Sequence, residues 1–250
     1  MRKPPSLAIQ IWDLLLIELT NWRWSWRSSI IVGTLAPLLS VVALGVFARE
    51  SGPRTLAYIL TGNAVISLMF GNMDKLQSHF CFIRFQGTLD YFATLPVQRY
   101  ALILAVILAF LLLSLPSLVA TVALGALYLR VPLQISPLIL LVVPLCAMPL
   151  AGIGALIGTA ARTPQEAGSL SLLLTLVLAG LGPVVVPPER LPAVMVGLGK
   201  LSPATYAASA MRQALLGPVT GQLLADLALL LAIATIVLWL VGHKMDWRQS

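Results

Sequence analysis

Six long apolar runs with almost no charged residues divide the chain. A membrane-crossing helix needs about 20 mostly apolar residues to span about 30 Å of hydrocarbon. It also satisfies its own backbone hydrogen bonds, which no lipid can do. The pattern therefore predicts an all-α integral membrane protein with six transmembrane helices in a single domain, residues 1–250. The predicted spans are 29–47, 55–73, 100–129, 131–161, 167–187 and 223–241.

Composition supports a membrane protein and argues against a nucleic-acid-binding protein. Hydrophobic residues make up 59% of the chain and charged residues 10%, whereas soluble domains are about half apolar and about a quarter charged. The net charge of +7 is spread over single basic residues at the ends of the apolar runs and forms no dense basic stripe. We therefore expect contact with lipid headgroups and none with nucleic acid.

The distribution of basic residues predicts the orientation. Six spans put ten of the sixteen Lys and Arg residues on the side of the termini and six on the other. Cytoplasmic segments are enriched in Lys and Arg, so both termini are predicted to be cytoplasmic. Tryptophans favour membrane interfaces, and all six lie before the first span or around the end of the sixth: Trp12, Trp22, Trp24, Trp26, Trp239 and Trp247.

The N-terminal segment, residues 1–28, is predicted to contain an interfacial elbow helix over 7–21. Its polar residues fall largely on one side of a helical projection, although Leu14 and Ile17 intrude. The alternative is a partly inserted span, which would bury Asp13 and Glu18 in hydrocarbon at considerable cost. We also expect this segment to be retained, because the same two carboxylates interrupt any signal-like apolar region and no small-residue cleavage site follows.

Catalytic chemistry has little support in this sequence. The only histidines, His79 and His243, lie at predicted membrane edges, and there is no HExxH motif or GxxxxGK[ST] loop. Cys81 and Cys146 have no ligand-spaced partner and are expected to be inert thiols. We predict no catalytic, cofactor-binding or metal-binding residue in this chain, so any ATP would be bound by another chain.

A few small and polar residues stand out within the spans. Asn63, Ser67 and Asn72 are candidates either for lining a route for a polar group or, as we favour, for hydrogen bonding to neighbouring helices. Gly154 and Gly158 have the small-xxx-small spacing that lets helices approach closely, either inside one subunit or at a dimer seam.

Residues 74–99 form the longest predicted inner loop, which contains FIRFQGTLDYFATLPVQR. Gly87 is suited to begin a helix with Asp90 in its first turn, where a carboxylate favours the positive end of the dipole. Pro96 would end that helix. Helical spacing also puts four apolar residues on one face of this segment: Phe82, Phe85, Leu89 and Phe92.

Two motifs in this sequence resemble those of permease subunits of type-2 ABC exporters. Arg84 and the following GTLD, with LP at 95–96, are similar to the family's R-x-x-G-T-L-[DE] and L-x-x-[LS]-P patterns. LSPATY at 201–206, with a later basic residue, resembles its L-[NS]-P-x-T-Y segment. The acidic and basic residues that often precede the Gly-Thr-Leu are absent, which affects which ATPase would be recognised.

The resemblance implies a cytoplasmic coupling helix, an outer helical segment over 188–222, a second permease subunit and two ATPase subunits that bind ATP and Mg²⁺. The second permease would be identical or different. The implied role is export of an amphipathic or lipid-like substrate across a prokaryotic-type cytoplasmic membrane; the alternative is a membrane scaffold or signalling subunit. Ser202 would be the N-cap of an outer helix. The residues carried over are Arg84, Gly87, Thr88, Leu89, Asp90, Leu95 and Pro96 for coupling, and Pro203, Thr205, Tyr206 and Arg212 for the outer cap.

Overall fold

The computed structural model describes residues 6–22, 26–48, 51–87 and 98–244. These residues form helices and connecting segments with no strand, which confirms the predicted all-α class. A π-helical segment, Met69–Met73, joins α3 to α4, and a 3₁₀ turn occupies Pro188–Arg190. The α-helices are α1 Leu7–Trp22, α2 Trp26–Ala48, α3 Pro53–Leu68, α4 Asp74–Phe85, α5 Arg99–Leu129, α6 Ile139–Ala160, α7 Pro164–Gly180, α8 Ala193–Gly199, α9 Pro203–Leu216 and α10 Gly221–Lys244.

Five of the described helical segments are long and apolar enough to cross a membrane, so the predicted count of six is not confirmed. The difference is the predicted span 167–187, whose helix α7 has only 17 residues and is about 25 Å long. It ends at Gly180, and the chain then turns at Gly182, which has a φ of 112°. The five segments are Ile30–Ala48, Pro53–Phe85, Tyr100–Leu129, Ile139–Ala160 and Gly221–His243.

The predicted span 131–161 is helical only from Ile139 onward. Residues 131–136 form no helix, and they include Pro132, which lacks a backbone N–H and disfavours a helical conformation in the preceding residue. The segment pairs with the end of α9 instead: the amide of Gln134 donates to the carbonyl of Leu215, and that of Ser136 to Ala214, both at 2.8 Å.

The second span lies at the centre of the described bundle. It runs without a break through α3, the π segment and α4, and it packs against α2, α5, α6, α7 and α9. Leu60, Leu68 and Met73 are completely buried along it. Residues 74–85 of the predicted inner loop are thus a helical continuation of this span.

Helix α1 covers the segment predicted to be helical, 7–21, but its interfacial placement stays a prediction and its polar residues are not distributed as predicted. Gln10 and Glu18 are buried with Leu14 on one stripe, while Trp12 and Leu16 are exposed. The buried stripe packs on α5, where Gln10 Oε1 accepts a hydrogen bond of 3.0 Å from the backbone N–H of Gln98. The polar groups therefore serve contacts within the protein as well as facing outward.

Candidate functional site

Arg84, predicted to contact a partner, binds the end of another helix of this chain. It lies in the last turn of α4, and its Nη1 donates to the carbonyls of Thr159 at 2.8 Å and Ala161 at 2.7 Å. The last carbonyls of a helix have no intrahelical partner and carry the negative end of the dipole. The guanidinium therefore caps α6 at the point where that helix ends.

Gly87 follows Arg84 in a left-handed conformation, with a φ of 70°. Its backbone N–H donates to the carbonyl of Arg84 at 3.2 Å, and α4 ends at Phe85. Phe82 and Phe85 therefore lie on α4, whereas Leu89 and Phe92, the other two residues of the predicted apolar face, lie outside the described residues. Thr88, Leu89, Asp90, Leu95 and Pro96 lie outside the described residues, and their coupling role stays a prediction.

Close backbone packing joins α4 to α6. A Cβ atom added to Gly154 would lie 2.1 Å from the carbonyl oxygen of Met73, and one added to Gly158 would lie 2.5 Å from that of Gln77. No real side chain fits at such distances, so the two backbones touch. Of the two alternatives for the small-residue pair, the described structure contains the contact inside one subunit.

Two polar contacts, which the sequence analysis did not foresee, tie α4 to further helices. Asp74 accepts a hydrogen bond from the hydroxyl of Ser171 on α7. His79 Nε2 lies 3.4 Å from Glu18 Oε1 on α1, and both side chains are largely buried. Such a contact between a carboxylate and a hydroxyl or an imidazole can be predicted from the sequence only when it is already known which helices pack together.

The three polar residues of the second span are buried and take part in packing. Asn63 Nδ2 donates to the carbonyl of Ile59 in its own helix, at 2.8 Å. Ser67 donates to the carbonyl of Gly33 on α2 at 3.0 Å. Asn72, in the π segment, donates to Ser114 Oγ on α5 at 3.0 Å. The Ser67 and Asn72 bonds reach neighbouring helices, as in the alternative that we favoured, whereas the Asn63 bond stays within its own helix; a role of the three residues in a substrate route stays a prediction.

The predicted outer segment contains a short helix, α8, and a longer one, α9. Pro203 occupies the first turn of α9 as predicted. Ser202 is the N-cap residue of α9 as predicted, although its buried hydroxyl makes no cap hydrogen bond. The Tyr206 hydroxyl donates to the carbonyl of Lys200 at 2.6 Å. Thr205 lies where Gly182 and Gly199 bring two backbones together.

Arg212 lies on the inner side of α9, against the second span. Its guanidinium carbon is 3.4 Å from the ring centre of Tyr58, a cation–π contact. Among the described residues its Nε and Nη2 atoms have no hydrogen-bond partner. Helix α9 packs on α3, α6 and α10 through alanines that are completely buried, including Ala204, Ala207 and Ala210. This part of the outer segment is therefore set into the bundle.

The ABC-2 type transporter family matches residues 9–216, which is most of the chain. The chain belongs to the ABC-2 type transporter family. An ABC-2 membrane domain is the transmembrane subunit of an ABC transporter, so this chain is a permease component and a multi-pass membrane protein. The family also implies partnership with ABC ATPase subunits. Comparison with curated proteins finds no match.

In this ABC-2 chain the family match includes α4 and the outer segment, and ends at Leu216, the last residue of α9. Within the described ranges no group of three or more His, Cys, Asp or Glu residues could hold a metal ion. The two cysteines are free and buried. Among the described residues, α4 is bound to α1, α6 and α7 close to the GTLD motif.

Proposed function

We propose that this chain is the permease of an ATP-driven exporter in a prokaryotic-type cytoplasmic membrane, with both termini cytoplasmic. ATP and Mg²⁺ bind to partner ATPase subunits, which contact the segment that begins at Gly87. The observation that supports the proposal is the continuous helical segment Pro53–Phe85, which is long and apolar enough to cross a membrane and ends just before the GTLD motif. Movement of the motif then moves the second span directly.

The substrate is proposed to be amphipathic or lipid-like. A cavity of about 470 Å³ between α5, α6 and α9 is lined entirely by apolar residues, including Leu115, Val122 and Met211. The space is partly open, since its lining residue Leu140 is 82% exposed, so an apolar chain can enter it and bury its surface against these residues. The cavity supports affinity for an apolar chain, and mass spectrometry of lipids retained by the purified complex tests this part of the proposal.

A second permease subunit is proposed to complete the transporter. Helix α2 supports this, because Leu35, Leu39 and Phe47 leave 55%, 60% and 85% of their surface exposed. An apolar surface of this kind within a membrane contacts either lipid or another subunit. Cross-linking of α2 between differently tagged copies distinguishes a pair of identical chains from a pair of different ones.

Co-purification from native membranes tests the central proposal. We expect an ATPase with a GxxxxGK[ST] loop to be recovered with the wild-type chain and to be lost with Asp90→Ala. Asp13→Ala is the matched control, since it removes an exposed carboxylate from α1. Recovery of a stable partner that lacks a nucleotide-binding loop would favour the scaffold alternative and contradict the exporter.

A further inference from the structure

We propose that α4 and the last two turns of α6 move as one rigid unit, and that Arg84 is the positioning residue that fixes its end. We call this unit, α4 with the preceding Met73 (residues 73–85) and residues 154–161, the α4–α6 lever. The inference rests on the proposed function, because the lever would carry ATPase motion into the membrane domain. It assigns Arg84 to the inside of the permease and removes it from the ATPase contact.

The first step of the argument is the backbone contact. Helices that meet through side chains can shift by changing rotamers, but Gly154 and Gly158 put the α6 backbone directly against the carbonyls of Met73 and Gln77. There is no side chain between the two helices at these points to rearrange. Sliding one helix along the other would bring the next Cβ atoms into the same space. The contact therefore favours joint movement.

The second step is the capping of α6 by Arg84. One nitrogen of the guanidinium serves two carbonyls, at 2.8 Å and 2.7 Å, on residues 159 and 161. Such charge-assisted hydrogen bonds are short and directional. They lie just before α4 ends, so they prevent the two helix ends from separating. Both N–H groups of Nη1 are thereby used inside the permease, which supports a positioning role for Arg84.

The third step is an apolar contact near Arg84, where α4 and α6 both end. Cys81 on α4, Ala161 after α6 and Ala167 on α7 form a small buried apolar cluster with Ile157. Together with the hydrogen bond between Asp74 and Ser171, the cluster links the lever to α7. Motion of the lever would thus be transmitted to α7.

Two spin labels, one on α4 and one on the α6 part of the lever, test this inference. Phe82→Cys and Ala160→Cys place the labels on exposed positions of α4 and α6, and the native cysteines are buried and react slowly. In the purified complex we expect a narrow distance distribution that ATP does not change. Arg84→Gln should broaden it, and Arg84→Lys should restore part of the narrow component because an ammonium still donates to carbonyls.

Arg162→Gln is the matched control, because it removes an exposed charge just beyond the same helix end and should leave the distribution unchanged. Recovery of the ATPase should be equal, within about twofold, for wild type and Arg84→Gln. The inference is overturned if ATP changes the distance in the wild type, if Arg84→Gln leaves the width unaltered, or if it abolishes ATPase recovery. Absence of any ATPase with the wild type contradicts the proposed function instead, and the nucleotide-free distributions still decide the role of Arg84.

Discussion

Replacing Gly154 by alanine should strongly destabilise the bundle, although alanine is the better helix former. The new Cβ would lie 2.1 Å from the carbonyl oxygen of Met73. Ordinary C···O contacts are about 3.3–3.6 Å, so α4 and α6 would have to separate by about 1 Å. Neither atom can rotate away, because the carbonyl oxygen belongs to the helical backbone and the position of the Cβ is fixed by it.

Overpacking of this kind costs about 1–3 kcal/mol, and occasionally more. We take the upper end, about 3 kcal/mol, because the clash is with backbone. Alanine recovers about 1 kcal/mol of helix propensity, which leaves a net loss of about 2 kcal/mol. Gly168→Ala is the matched control on α7, since nothing lies within 4 Å of its added Cβ, and it should gain up to about 1 kcal/mol.

Thermal unfolding of the purified chain in lipid nanodiscs, followed by tryptophan fluorescence, measures the difference. The two variants should differ by about 3 kcal/mol, or about 6–12 °C in midpoint for a chain of this size. Gly154→Ala should unfold at the lower temperature. If it unfolds at or above the midpoint of Gly168→Ala, the backbone contact between α4 and α6 does not exist as described, and the lever loses its first support.

Two further predictions use the same unfolding assay. Ser171→Ala should lower the free energy of unfolding by about 1–3 kcal/mol, because it leaves the partly buried Asp74 carboxylate without its donor. Ser169→Ala, at an exposed position of the same helix, should leave it unchanged. Equal midpoints for the two variants would contradict the hydrogen bond between Ser171 and Asp74. Tyr58→Leu should cost about 2 kcal/mol by removing the ring below the Arg212 guanidinium. An unchanged midpoint would show that the cation–π contact contributes nothing measurable.

Hydropathy predicted the membrane-spanning elements well where a run of apolar residues is also free of proline near its ends. The predicted span 100–129 corresponds to α5, Arg99–Leu129. It failed over 131–138, because that stretch is uncharged and continuous with the apolar helix after it but contains Pro132 and Pro137. Apolar character alone cannot distinguish an extended segment that pairs with α9 from the first turns of a helix.

The motif around Arg84 led to the family, but the sequence could not reveal what the guanidinium contacts. Its partners are the backbone carbonyls of Thr159 and Ala161, and a backbone carbonyl is present at every position of a chain. Whether these two are accessible depends on where α6 ends and on how closely it approaches α4. Both conditions depend on the tertiary packing at Gly154 and Gly158. The spacing of these small residues was compatible with a contact inside one subunit or with a dimer seam, so it did not predict this packing.

The polar contacts of the second span differ between its two ends. At the Pro53 end, Arg54 and Glu189 form an ion pair at 2.9 Å with 68% and 56% of the side chains exposed, and such pairs contribute little. At the Phe85 end, the contacts made by His79, Asp74 and Arg84 to three other helices are largely or partly buried, where breaking a polar contact is costly. The polar contacts between helices at the Phe85 end are thus more shielded from solvent than the Arg54–Glu189 pair. The Pro53 half of the span is held instead by Arg212 on Tyr58 and by packing against α2 and α9.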